Sequence, residues 1–158
     1  MDGKKKVKVF KSEVIEILKA GPFKIKQALY AMLITSKHEG KIFYFPEARA
    51  LQMIGTNSKD TVGRTIRRLV GGGFIEYVRK GEVDWIWTQY AGHVRYKSNM
   101  YKLLISEPKE DEPYLEVTID DSFLEIATKL CSKKEVRNYV KRTEFTNRWL
   151  TYYKDNCA

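Results

Sequence analysis

Three arginines pose the first chemical question of this chain. Arg64, Arg67 and Arg68 stand in one short stretch with Asn57, Ser58, Lys59, Asp60 and Thr61. A guanidinium carries its N–H donors in a planar fork that bonds guanine O6 and N7 in pairs or clamps a phosphate, and an asparagine amide pairs likewise with adenine. Such groups act together only if a rigid element turns them to one side. The spacing supplies that element: Val62, Ile66, Leu69 and Val70 recur at i, i+4, i+7 and i+8, which gathers them on one helical stripe at about 100° per residue. Asn57, Asp60, Thr61, Arg64, Arg67 and Arg68 then point away from the stripe. Ser58 can cap the helix by accepting a bond from a backbone N–H two or three residues on, so the expected helix spans 58–70. Gly63 fits less well, because glycine inside a helix costs roughly 1 kcal/mol against alanine, and it reads as a site of close packing.

A charged outer face on an amphipathic helix is ordinarily only solvated, so the flanking elements decide the reading. Phe43, Tyr44 and Phe45 read as a short strand. Pro46 suits a first helical position and Gly55 a left-handed residue past the last turn, which predicts a helix over 46–54 and a tight connection through Thr56 and Asn57. After the break at Gly71, Gly72 and Gly73, residues 74–80 alternate as a strand with a turn at Gly81, and 82–90 and 93–105 alternate again. Upstream, Ile25, Leu29, Met32, Leu33 and Ser36 mark a backing helix over 22–37. Before it, 12–21 reads as a short capped helix, although 6–10 also alternates like a strand. Two helices joined by a tight turn and followed by a basic hairpin outline a winged helix-turn-helix, an α+β unit whose second helix is shaped to enter a DNA major groove. In the wing, Arg79, Lys80, Arg95 and Lys97 can reach phosphates, while Glu82 and Asp84 at the tip oppose that. Trp85 and Trp87 read as packing against the domain or a partner rather than stacking on bases.

The composite pattern resembles the winged helix-turn-helix domains of bacterial phages, plasmids and mobile elements. It rests on Phe43-Tyr44-Phe45-Pro46, on residues 51–55, on Ser58-Lys59-Asp60-Thr61-Val62, on Gly73-Phe74-Ile75 and on Ser98-Asn99-Met100-Tyr101-Lys102-Leu103, and covers about residues 22–105. Gly63, the tripled glycine and the tryptophan-bearing strand depart from it. The resemblance implies that Asn57, Lys59, Asp60, Thr61, Arg64 and Arg68 read bases while the wing holds the backbone. Relatives of this kind include transcription regulators and replication initiators alike.

Charge follows the same division. Residues 1–105 hold 20 basic and 9 acidic side chains, net +11, and residues 106–158 hold 9 basic and 11 acidic, net −2. A basic surplus beside a DNA-reading unit suits a polyanion partner, because neutralised phosphates release counterions. The organisation expected is a basic arm and short helix (1–21), the winged unit (22–105), an acidic linker (106–113) and a mainly helical extension (114–158). Lys4, Lys5, Lys6 and Lys8 are the arm candidates for a minor groove, against a plain disordered terminus. In the extension, Ser132 and Glu135 form a capping-box pattern that opens one final helix. That helix carries Tyr139, Phe145, Trp149 and Tyr153, more apolar area than it can hide alone. These residues read as a dimer or partner contact, with packing inside the chain as the alternative. Lys133, Lys134, Arg137, Lys141, Arg142 and Arg148 give this end its own positive face, read as solvated.

Other chemistry is sparse. His38, His93, Cys131 and Cys157 lack paired metal-ligand spacing, there is no phosphate-cradling Gly-Lys-Ser/Thr loop, and no nucleophile, base and orienting group fall together. No enzyme, cofactor or metal is expected. With neither a secretion signal nor a stretch of about 20 apolar residues, the chain reads as cytoplasmic and without a membrane partner. The function expected is sequence-specific binding of double-stranded DNA by a homodimeric transcription regulator. The alternatives are a phage or plasmid replication initiator working with a protein partner, and a protein-interaction module using the wing tryptophans and the C-terminal helix.

Overall fold

The computed structural model describes residues 5–45, 47–55, 58–79, 89, 100–109 and 111–156. In chain order they form β1 (Val7–Phe10), α1 (Lys11–Leu18), α2 (Phe23–Glu39), β2 (Ile42–Tyr44), α3 (Glu47–Ile54), α4 (Lys59–Gly71) and β3 (Ile75–Arg79). They continue with β4 (Met100–Leu103), β5 (Tyr114–Val117), α5 (Phe123–Leu130), α6 (Lys133–Arg137), α7 (Arg142–Glu144), a π-helical turn (Phe145–Trp149) and α8 (Leu150–Asn156). The fold is α+β: helices with two small antiparallel sheets.

The centre is α2, which is buried on most of its circumference because it has neighbours on several sides. Ala28, Leu29, Met32 and Leu33 are fully buried, with α3 and α4 packed on one side and α1 on another. Within α4, Val62, Ile66 and Leu69 are buried as their spacing requires, joined by Thr65, while Val70 is half-buried. Ser58 caps this helix, its Oγ accepting from the Thr61 N–H at 3.2 Å. Two glycines end the helices that flank the turn. Gly55 takes φ +78° after α3, and Gly73 takes φ +81° after α4, where the Phe74 N–H reaches back to the Leu69 carbonyl at 3.0 Å and the Gly73 N–H to Val70 at 3.1 Å. That is a Schellman closure, which needs a left-handed residue at Gly73 and aims the chain into β3. The sheet beyond it has the order β2-β4-β3, with Phe43 opposite Tyr101 and Ile75 opposite Leu103. Phe43, Ile75 and Tyr101 face the core and are buried.

A second sheet joins the two ends of the sequence. β1 pairs with β5 from Val7↔Val117 to Phe10↔Tyr114, so Lys8, expected in a basic arm, is a strand residue whose Nζ lies 4.8 Å from the Tyr114 ring centroid. Only Lys5 and Lys6 of the described lysines precede that strand. Three carboxylates lock the seam. Glu13 accepts from the Phe10 N–H at 2.9 Å and from Lys37 Nζ at 2.8 Å, tying the start of α1 to α2. Glu112 accepts from the Ser12 N–H at 2.5 Å, so the acidic stretch 106–113 is pinned back onto α1 at that point. Glu135 meets Lys11 at 2.7 Å and also closes the capping box with Ser132 at the start of α6.

The expected single C-terminal helix is several pieces, and its aromatic side faces inward. The chain turns between α6 and α7, and the helical run that follows contains the π-helical turn. Trp149 is 0% exposed, Tyr153 2% and Phe145 8%. Trp149 meets Phe23 of α2 edge-on at 6.4 Å and Phe123 of α5 at 5.8 Å, and the Tyr153 hydroxyl donates to the Cys131 carbonyl at 2.6 Å. Phe145, Trp149 and Tyr153 are therefore core residues of this chain and not a dimer or partner contact. The apolar surface that seemed to call for a second copy is covered by α2 and α5, in one continuous core shared with residues 22–105. Tyr139, by contrast, is 38% exposed.

Candidate nucleic-acid interface

Lys59, Asp60, Arg64, Arg67 and Arg68 are exposed on the outer side of α4, and Thr61 is half-buried at its edge. Of the residues that the spacing turns outward, Asp60, Arg64, Arg67 and Arg68 are exposed and Thr61 only partly so. Among the described residues no carboxylate pairs with Arg64, Arg67 or Arg68. All three side chains are exposed to solvent. Gly63 explains part of this arrangement: the Arg67 guanidinium folds back over it, and a Cβ there would sit 3.3 Å from Arg67 Nη1.

The outer face of α4 also forms one wall of a groove of about 850 Å³. The N-terminal turn of α2 contributes Lys24, α4 contributes Thr61, Arg64 and Arg68, and the C-terminal helical run contributes Asn147 and Arg148, with Lys141 just before it. Exposed cations on three separate elements thus converge on one concave surface. Arg148 is held there by stacking, its guanidinium carbon 4.1 Å from the Phe23 ring centroid. Such a contact is worth about 0.5–1 kcal/mol at an exposed site and fixes the direction of the charge.

Among the described lining residues Glu144 is the only acid, and its charge is turned to the floor. Glu144 Oε2 accepts from Trp149 Nε1 at 3.0 Å and faces Lys26 Nζ at 3.6 Å. Lys26, 2% exposed, also donates to the Gly21 carbonyl. Burial pushes the Lys26 ammonium below its usual range, and Glu144 offsets part of that shift. The pair therefore leaves a groove rim that is positive. Sequence reasoning missed Lys24, Lys26, Glu144 and Asn147, and read Lys141 and Arg148 as merely solvated. The one available signal was two lysines, Lys24 and Lys26, in the first turn of a buried helix.

Not every expected residue can be placed. Asn57, Lys80, Arg95, Lys97, Trp85, Trp87 and Lys4 lie outside the described residues, as does the hairpin between β3 and β4. Arg79 ends β3, opposite Met100 of β4. Among the described residues no group of three or more His, Cys, Asp or Glu side chains could hold a metal, and no helix is long and apolar enough to cross a membrane. Cys131 is buried, which pushes its thiol up to about 12 and keeps it protonated at neutral pH. No protein-family model, curated protein or solved structure matches the chain.

Proposed function

We propose that residues 22–105 are a winged helix-turn-helix and that the chain binds double-stranded DNA by sequence, acting as a regulator of transcription. The order α2-β2-α3-α4-β3-β4, with β4 between β2 and β3, supports the first part. The single observation that carries the second is the outer face of α4, where Arg64, Arg67 and Arg68 are exposed on a rigid, capped helix. In this reading α4 enters the major groove, its arginines and polar side chains meet base edges, and occupancy of a promoter or a site beside polymerase is the regulatory act. A second copy is no longer needed to cover the C-terminal aromatics, so whether two chains bind together is read from the symmetry of the bound sequence.

The test is Arg64→Ala and Arg68→Ala on a duplex selected by the chain itself. Each substitution is expected to weaken binding by roughly 1–3 kcal/mol and to relax the base preference, with the thermal unfolding midpoint unchanged. Undiminished binding by the double variant would remove α4 as the reading element.

A further inference from the structure

We infer that the C-terminal helical run is part of the DNA-binding surface, with Lys141 and Arg148 acting alongside Lys24 as phosphate contacts for the strand that flanks the α4 site. This rests on the reading of α4 given above and adds a partner chemistry, the phosphodiester backbone, to Lys141 and Arg148 outside the winged unit and to Lys24 within it.

The groove carries the argument. Its two walls belong to distant parts of the sequence, yet both present cations to the same concave space as Arg64 and Arg68. A major-groove helix is always bordered by phosphates of the two strands, so cations beside it and facing the same way meet that backbone first. Lys24, Lys141 and Arg148 are exposed, and no described carboxylate pairs with them. Glu144, the acid that would repel a phosphate, is occupied by Lys26 and the Trp149 indole. Arg148 is pre-oriented on Phe23, and Trp149, its neighbour in the π-helical turn, anchors the same segment against that ring. The π-helical turn matters here. One extra residue in the turn lets Phe145 and Trp149 both face the core while Asn147 and Arg148 stay on the rim. Such turns recur at functional sites.

Contacts to phosphate have a signature distinct from contacts to bases. Each neutralised phosphate contributes about 0.9 to the slope of log K against log salt on B-form DNA, and none of it depends on sequence. The experiment uses the full chain and measures fluorescence anisotropy on the selected duplex and on a scrambled duplex of the same length, across a salt series. Lys24→Gln with Lys141→Gln and Arg148→Gln should reduce the slope by about 2 to 3. Both duplexes should weaken by the same factor, so that the ratio between them stays fixed. Lys141→Gln alone, at an exposed position, should reduce it by about 1 and guards against misfolding of the triple variant. An unchanged slope in both variants, while Arg64→Ala with Arg68→Ala still abolishes the preference, overturns this inference and leaves the α4 reading standing. A changed ratio between the duplexes also overturns it, because the side chains would then be reading bases. If the unsubstituted chain binds neither duplex, both readings fall together.

Discussion

Set α4 beside the helical run 142–156, and one plan is seen executed with two different periods. Each lays a basic face along the same groove and an apolar face against α2 and its neighbours. In α4 the inner face is Val62, Thr65, Ile66 and Leu69, spaced as an α-helix demands, and the cations lie over a fully regular backbone. In the C-terminal run the inner face is Phe145, Trp149 and Tyr153, spaced by four residues each time. At 100° per residue a four-residue step overshoots a full turn by about 40°, so three such residues spread over about 80° of a regular helix, close to the full width of one apolar stripe. The π-helical turn takes up that excess between Phe145 and Trp149. The comparison teaches that a basic outer face can be read from sequence on either element, while the groove it lines is fixed only by tertiary packing. The apolar face behind it looks unsatisfied until the elements that cover it, here α2 and α5, are in place.

The largest effects should separate core from interface. Trp149→Ala removes the ring shared by α2 and α5 together with the indole bond to Glu144, and is expected to cost about 3–5 kcal/mol in urea unfolding. A cost below about 1 kcal/mol would mean that the C-terminal run is an appendage and not part of the core. Glu144→Ala leaves Lys26 buried beside only the Gly21 carbonyl, and losing one partner of a buried pair costs about 3 kcal/mol. Its pH dependence sharpens the point. Burial holds the folded Lys26 below its unfolded value of 10.5, so the unfolded chain binds the extra proton, and this residue's contribution favours folding more as pH rises towards 10.5. Losing Glu144 should deepen that slope between neutral pH and 10. A slope shallower than in the unsubstituted chain would refute the pairing.

Smaller effects test the seam and the outer face of α4. Glu135 is held below its ordinary value of 4.5, first by the hydrogen bond from Lys11 and then by the Ser132 N–H. Its contribution is present above 4.5 and is lost as pH falls through the lowered folded value. Glu135→Gln keeps an oxygen that can accept from the Ser132 N–H and removes the charge that faces Lys11, so it should cost less than about 1 kcal/mol at pH 7, since solvent screens the partly exposed ion pair. The difference from the unsubstituted chain should shrink in acid. Gly63→Ala is the mildest change. The helix gains roughly 0.5–1 kcal/mol in propensity, and the mobile Arg67 head yields the few tenths of an ångström that a methyl group requires. Destabilisation instead, by thermal melting, would show that Arg67 is held over Gly63 more firmly than an exposed side chain should be.

Much of the fold was legible because it is local. Ser58 as a cap, Gly55 as a left-handed terminus and the stripe of α4 all follow from residues within a few positions of one another. The alternation over 6–10 was visible too, but nothing in that segment says that Val7 pairs with Val117. The site was half legible for the same reason. Arg64 and Arg68 could be placed on one face by arithmetic, whereas Lys24, Lys141 and Arg148 join them only through tertiary packing. Trp149 misled because a large buried ring and a large exposed ring look alike until a partner such as Phe123 is in place.

The central claim is that the arginine-bearing face of α4 recognises duplex DNA. Selection of bound fragments from random duplex DNA by the full chain, near 0.15 M salt, tests it most directly. A short enriched motif bound at least about a thousandfold more tightly than its scrambled counterpart is the predicted result. Recovery of unenriched sequence, or of no DNA at that salt, would contradict it.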